Sequence, residues 1–316
     1  MPQFSTPVAL IIFNRPDKTA RMFAEVRRAR PKQLFVIADG PRTEEEKIKT
    51  DATRAVTEKV DWECEVQRLY QDKNLGVKKG PPTGISWVFE QVDRCIFLED
   101  DCIPDPSFFR YCEELLEKYK DDKRVMHISG DNFLPYRAPQ TGEPSYHFSV
   151  IAYLWGWATW RRAWQHYDPS MAAWPEVKKQ NALARVLPDP AVHEHWEYVL
   201  ERYYDGSINS WDGPWALACF MRGLCINPAV NVVTNIGNDA DAAHPQKDGD
   251  EKTNIPSHPL AFPLAHPGVA VDRTEDVKNF KEVYYINKRA KDRVRSAIKY
   301  RTPAFYQLLK RLFNRF

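Results

Sequence analysis

The chain is short of several things that would narrow its class at once. Its six cysteines (Cys64, Cys95, Cys102, Cys112, Cys219 and Cys225) form no CxxC pair and show no metal-ligand spacing, which removes the zinc-ribbon and thioredoxin-like classes. Cys95 and Cys219 lie in apolar runs and read as small core residues. No stretch approaches the ~18–20 apolar residues that cross a bilayer. The opening "MPQFSTPVALIIFNRP" has no positive charge ahead of its short apolar run and does not read as a secretory signal. A cytoplasmic protein with reduced thiols is the expectation. There is no internal repeat, and no zinc or RNA-binding motif, so no nucleic-acid partner is expected. A pore former is excluded by the lack of a long apolar hairpin or amphipathic β-repeat.

What is present is ordinary in bulk and uneven in detail. Hydrophobic residues make up 43% and charged residues 28% of 316, the balance of a soluble globular domain with a sizeable core. Ten Trp and fourteen Tyr suit either a large core or a surface that covers the apolar faces of sugars, and the core is the better account of most of them. The net charge of +2 hides an asymmetry: residues 286–316 hold ten Lys or Arg against one acid, Asp292, and the preceding body is net −7.

Along the first hundred residues the pattern is regular. "PVALIIFNRPD", "QLFVIADGPR", "CEVQRLYQD" and "RCIFLEDDC" read as strands. Helical spacings ("DKTARMFAEVRRA", "EEEKIKTDATRAVTEKV", "GISWVFEQV") separate them. This βαβ alternation predicts an α/β fold with a mixed, mostly parallel sheet flanked by helices. Ligands in such sheets bind beyond the carboxyl ends of the strands. Asn14-Arg15, Asp39 and Glu99-Asp100-Asp101 follow three of those ends and should meet on one rim. Later, "DPSFFRYCEELLEKYKDDKRV" predicts a long helix, "VMHISGDNF" and "AVNVVTNIG" strands, and "SWDGPWALACFMRGLCINP" a helix. "SVIAYLWGWATWRRAWQHY" starts as a strand; Trp157, Trp160 and Trp164 then fall at helical core spacing. One domain over 1–285 and a tail over 286–316 are expected.

The run "CIFLEDDCIPD" carries the most chemistry. Two like charges ~4 Å apart repel by about 4 kcal/mol at an effective dielectric of ~20. Three acids at a strand end therefore want a cation, and an all-oxygen set selects Mg²⁺ or Mn²⁺. Mg²⁺ usually takes one or two carboxylates and completes its shell with water and phosphate oxygens. In an extended segment Glu99 and Asp101 would face one side and Asp100 the other. A solvated acidic turn is the bland alternative.

At this point the chain resembles GT-A fold glycosyltransferases. "FLEDD" is similar to their DxD-type motif. The Glu-Asp-Asp form resembles animal N-acetylglucosaminyltransferases that begin complex N-glycans and, more closely, bacterial haemolysin-like sugar-nucleotide transferases. The resemblance spans roughly residues 5 to 240, and the order and spacing of short motifs carry it. It implies that Asn14 and Arg15 of "FNRPD" face a diphosphate, that Asp39 of "ADGPR" accepts a uracil N–H, and that Lys78 or Lys79 of "NLGVKKG" lies near phosphate. Asp101 would bind the metal, while Glu99 and Asp100 hold hydroxyls or metal-shell water. "LWGWATWRRAW" resembles the segment below the acceptor, placing Trp157 and Arg161 there, with Trp211 of "NSWDGPW" as a further acceptor candidate. "NSWDGPW" resembles a Trp-Asp-Asp segment whose acid is the catalytic base, which puts Asp212 in that role. The family has an acid where Gly213 stands here.

The implied activity is an inverting, metal-dependent transfer of a sugar, from a UDP-sugar by the match at Asp39, to a glycan or lipid-linked acceptor in surface polysaccharide synthesis. Asp212 has a bland alternative as the N-cap of its helix, as does Ser210. His244, in the polar loop "NIGNDADAAHPQKDGDEKTN", is a candidate for the metal or the diphosphate, though a lone histidine in such a loop is more often solvated. In the tail, Phe305, Leu308, Leu309, Leu312 and Phe316 share a helical face, with Lys310, Arg311 and Arg315 between them. That suits an anionic membrane surface on the inner face of the plasma membrane, or a helix docked on the domain or a partner subunit, so a homo-oligomer stays open. Two rivals remain: a nucleotidyltransferase that makes sugar nucleotides, against which "FNRPDKTA" offers no phosphate-loop glycine, and a non-catalytic membrane-binding protein with a degenerate site.

Overall fold

The computed structural model describes residues 4–237 and 254–284. The first half alternates as expected: β1 (Val8–Ile12), α1 (Pro16–Ala29), β2 (Gln33–Ala38), α2 (Glu44–Glu58), β3 (Glu65–Tyr70), α3 (Gly80–Phe89) and β4 (Arg94–Glu99). After it come β5 (Cys102–Pro104), α4 (Pro106–Lys118), β6 (Val125–Ser129), β7 (Tyr146–Ser149), β8 (Trp157–Trp160) and α5 (Arg161–Trp164). The remainder is α6 (Trp174–Lys179), α7 (Ala182–Val186), α8 (Pro190–Tyr204), α9 (Asp212–Arg222), β9 (Leu224–Pro228), β10 (Val233–Asn235) and α10 (Arg273–Tyr284).

Eight strands form one sheet in the order β3-β2-β1-β4-β8-β6-β9-β7. Only β8 and β7 run against the common direction of the other six. The architecture is the expected α/β one, a mixed and mostly parallel sheet flanked by helices, consistent with a Rossmann-like GT-A fold. A short antiparallel pair, β5 with β10, sits beside it.

Period-2 geometry explains why the early strands look uniformly apolar. Val8, Leu10 and Ile12 enter one core with Leu34, Val36, Ile96 and Leu98, while Ala9, Phe35, Ile37, Cys95 and Phe97 enter the core on the opposite face. Both faces are covered, so no polar alternation is needed. α1 buries Thr19, Met22, Phe23 and Val26 on the first face, an i, i+3, i+4, i+7 stripe. The second face packs under α3, α5 and α9. Two helices open on the same device: Asp105 precedes Pro106 and accepts the Ser107 amide at 2.8 Å, and Asp189 precedes Pro190 and accepts the Ala191 amide at 3.0 Å.

The tryptophan-rich segment departs from the helical expectation. Residues 157–160 are a strand, with Trp157 on one face and Ala158 and Trp160 on the other. Ladder pairing to β4 and β6 overrides the apparent 3–4 spacing. α6, α7 and α8 are additional to the expected elements, although Asp189-Pro190 marks the start of α8; they build a third core around Trp174, Val192 and Trp196. Among the described residues no helix is long and apolar enough to cross a membrane. The tail over 286–316 lies outside the described residues.

Candidate active site

A cavity of about 580 Å³ opens beyond the carboxyl ends of β1, β2 and β4. Phe13, Asn14 and Arg15 line it from the β1 end, Asp39 from β2, and Glu99 and Asp100 from β4. The expected meeting of three polar strand ends on one rim is thus what the sheet produces. Gly76, Val77 and the start of α3 close one side, and Asn209 and Trp211 another.

The acids are arranged differently from an extended strand. β4 ends at Glu99 and the chain turns at Asp100 and Asp101, so the neighbours of Glu99 swing to the same side. Arg15 Nη1 donates to Asp100 Oδ1 at 3.3 Å and to Asp101 Oδ2 at 2.9 Å. The expected split of Asp100 from Asp101 does not occur, because the pleat stops one residue earlier. Asp101 also accepts from Asn235 Nδ2 at 3.1 Å, and a Cβ on Gly237 would lie 2.1 Å from its Oδ2. Asp101 therefore lies against Asn235 and Gly237, about as exposed as Asp100, and Glu99 and Asp100 line the cavity.

Burial, reinforced by the charges of Asp101, Asp100 and Asp212, pushes the Glu99 carboxyl up to about 8. Burial and Asp101 push Asp100 up to about 7, against the pull of Arg15. One guanidinium does not offset three carboxylates. A fourth acid, Asp131 after β6, is buried, accepts the Trp155 amide at 3.4 Å, and is also held well above the carboxylate range by burial. Among the described residues no three acids, histidines or cysteines converge on one point. An ion here would rest on one or two carboxylates and on oxygens from a ligand, which the oxygen-only donor set and its uncompensated charge fit.

Asp39 has a task that the motif did not reveal. Its Oδ1 accepts the amides of Gly40 and Leu75 (both 2.8 Å), and its Oδ2 accepts the Gly76 amide at 2.9 Å and Asn74 Nδ2 at 3.1 Å. Four donors use the ~four lone-pair sites of a carboxylate. A uracil N–H would have to displace one of them, so Asp39 is built into the cavity wall rather than held open for a base. Lys78 and Lys79 stand just before α3 and do not line the cavity. The cation beside Arg15 that does is Arg42, over the Phe13 ring at 5.3 Å and paired with Glu46. Glu46 also accepts from Asn14 Nδ2 at 2.8 Å.

Asp212 is the first residue of α9, and Trp211 occupies the N-cap without a side-chain cap. The capping alternative for Asp212 and Ser210 is therefore not what is seen. Asp212 Oδ2 accepts from the Tyr203 hydroxyl at 2.8 Å and Oδ1 from the Ser210 hydroxyl. It is near enough to Glu99 to raise it. Gly213 packs flat on Tyr203, where a Cβ would meet ring atoms at 2.3 Å. That contact accounts for glycine where the resembling family has an acid: the ring that holds Asp212 occupies the space.

Two acceptor candidates are corrected. Trp157 is fully buried and stacked on Phe97 at 4.7 Å, His127 at 5.2 Å and Trp211 at 5.8 Å, so it has no face for a sugar. With Trp164, Trp211 and Trp215 it forms the apolar bed beneath the start of α9. Arg161 pairs with Asp93 at 3.0 Å, beside the first residue of β4. Glu99 is at the other end of that strand, ~17 Å away at ~3.3 Å per residue. Of the three, only Trp211 reaches the cavity. His244 lies outside the described residues. Arg42, Asn74 and Tyr203 were missed, and Ser210 was read only as a cap, because nothing in their local spacing shows which side chain each will hold: Arg42 takes Glu46, Asn74 takes Asp39, and Tyr203 and Ser210 take Asp212.

No protein-family model and no curated protein matches the chain. Among solved structures, residues 1–349 of TarS from S. aureus are 10% identical over 71% of this chain, with a TM-score of 0.37. The chain spans 60% of that one. UTP-bound UGPase from Acinetobacter baumannii is 9% identical over 73% of this chain and 88% of its own, with a TM-score of 0.36. The 4-diphosphocytidyl-2C-methyl-D-erythritol synthase of Anaerococcus prevotii is 10% identical over 50% of this chain and 72% of its own, at 0.32. At TM-scores below 0.5 these likenesses carry no argument for an activity.

Proposed function

We propose that the protein is a metal-dependent glycosyltransferase that moves a sugar from a nucleotide-diphosphate sugar, a UDP-sugar in the first instance, to a glycan or lipid-linked acceptor. The observation that carries this is one cavity fronted by Glu99, Asp100 and Arg15, with Asp212 close by. A departing diphosphate needs positive charge, and an acceptor hydroxyl needs a base.

Arg15 and Arg42 supply fixed positive charge on the cavity wall. Asp100 and Asp101 would hold Mn²⁺ or Mg²⁺, which when bound neutralises diphosphate charge. Tyr203 and Ser210 hold the Asp212 carboxylate in one orientation and leave it lone pairs for an acceptor proton. A base so placed contributes ~10²–10⁴-fold, and direct displacement with such a base inverts the anomeric centre. Ile11, Ile12, Ile37 and Val77, with the largely buried Trp211, form the apolar side of the cavity where the sugar would lie. A nucleotidyltransferase is less well supported: the β1–α1 connection is three residues, Phe13, Asn14 and Arg15, and runs straight into Pro16, with no glycine loop to wrap a triphosphate. The basic tail is the sequence feature behind a lipid-linked acceptor at a membrane surface and a role in surface polysaccharide synthesis.

The test is a donor screen. UDP-, GDP- and dTDP-sugars are added with Mn²⁺ or with EDTA, and melting temperature and slow donor hydrolysis are followed. A UDP-sugar should raise Tm only with metal, Asp101→Asn should abolish that rise, and Asp212→Asn should keep it while losing hydrolysis. If no nucleotide raises Tm with metal present, the transferase reading falls.

A further inference from the structure

A second and larger cleft, of about 790 Å³, lies on the same rim of the sheet but beyond β6, β9 and the start of β7. Four strand spacings separate β1 from β9, ~19 Å at ~4.8 Å each. None of the proposed donor-site residues lines it.

Its floor is built rather than incidental. Asn132 accepts the Leu134 amide at 2.9 Å and donates to the Pro228 carbonyl at 2.8 Å, and Asn231 accepts the Asn132 amide at 3.2 Å. Asn231 Nδ2 also donates to the carbonyls of Ile255 and Pro256, both at 3.2 Å. The Phe133 amide donates to Asn279 at 3.1 Å, tying α10 to that floor. Such a network keeps a site in shape before a ligand arrives.

Three features point to what the cleft takes. Tyr136 stacks on the His258 ring at 3.6 Å and 18°, and is still 55% exposed. A flat ring stacked on its neighbour and still open, in a cleft of mixed polar and apolar lining, presents an apolar face beside hydrogen-bonding groups, the complement of a pyranose ring. His147 also lines the cleft; its side chain is partly exposed, while its Nε2 is shielded from water and has no hydrogen-bond partner. Burial holds this ring below the usual histidine range, so it is neutral and suits a hydroxyl better than an anion. Four carboxylates (Glu143, Asp272, Glu275 and Glu282) against Arg137 and Lys278 leave an acidic lining, which repels uronates and phosphates.

We propose that this cleft binds a neutral oligosaccharide chain, with Tyr136 as the stacking platform and the His147 ring as part of the uncharged wall. Binding rests on the cleft alone; calling that chain the acceptor rests on the transferase reading.

Saturation-transfer NMR on the full chain tests it, with cellotetraose, maltotetraose, laminaritetraose and chitotetraose as neutral probes and a hyaluronan tetrasaccharide as the acidic one. Transfer to the C–H protons of at least one neutral probe is expected. Tyr136→Ala should weaken binding about tenfold, the effect of removing an aromatic anchor, and Tyr136→Phe should retain it. Asp101→Asn should leave it unchanged. Tyr136 is exposed, so its truncation should leave the fold intact, and an unchanged circular dichroism spectrum of the variant checks this. Transfer to no neutral probe, transfer to the acidic probe alone, or binding indifferent to Tyr136→Ala overturns the proposal. Neutral glycan binding without any nucleotide effect would keep the cleft and remove the transferase.

Discussion

Gly213→Ala joins the fold to the site in a single methyl group. The added Cβ would stand 2.3 Å from two atoms of the Tyr203 ring, where ordinary contact begins at 3.4 Å, so the ring must retreat by about 1 Å. Alanine favours the helical state over glycine by up to ~1 kcal/mol. Overpacking a filled site costs ~1–3 kcal/mol. Gly213 is buried and Tyr203 is anchored by its bond to Asp212, so neither side of the contact yields freely. The clash should win, with a net loss of about 1–2 kcal/mol by urea denaturation at unchanged m. The same displacement draws the Tyr203 hydroxyl from its 2.8 Å contact with Asp212. Donor hydrolysis should then fall about tenfold or more, while the metal-dependent Tm rise on adding UDP stays as in the wild type. Tyr203→Phe should reproduce the kinetic loss with less effect on stability. A Gly213→Ala protein as stable and as active as the wild type would refute the packing argument and the role given to Tyr203 together.

Four further outcomes are expected. Trp157→Ala removes a fully buried indole at the centre of a ring cluster and should cost ~3–5 kcal/mol in urea denaturation; a loss under ~1 kcal/mol would mean that the ring is not core. Asp39→Ala strips the acceptor from the amides of Gly40, Leu75 and Gly76 and should cost at least ~2 kcal/mol and abolish UDP binding, whereas selective loss of uracil over other bases would restore the base-reading role. Arg161→Ala, at an exposed pair with Asp93, should change stability by under ~1 kcal/mol and leave transfer untouched. Asp276 is raised to about 6 by burial, opposed by Ser149, Val150 and Arg273 and assisted by Asp272. Its folded value exceeds its unfolded 3.8, so the penalty is absent below pH ~4, grows as pH rises to ~6, and is complete above. Asp276→Asn should therefore stabilise by up to ~3 kcal/mol at pH 7.5 and by little at pH 4; equal stabilisation at both would exclude this cause.

Local pattern determined the first half of the molecule. Strands buried on both faces must be apolar throughout, and helices must carry one apolar stripe, so "VALII", "QLFVIA" and "RCIFLE" with their intervening helices announced a parallel α/β sheet. Because parallel strands end on one rim, Asn14, Arg15, Asp39, Glu99 and Asp100 could be gathered from sequence alone. What each of them does there was decided by contacts made across long sequence separations. Asp39 is occupied by amides 35 to 37 residues on, a turn brings Asp100 and Asp101 onto one guanidinium, and Asp212 is gripped by Tyr203 from another helix. Tryptophans written with a helical spacing became a strand because β4 and β6 offered a ladder. Side-chain direction and lone-pair occupancy depend on which neighbours folding delivers, and no spacing within one segment encodes that.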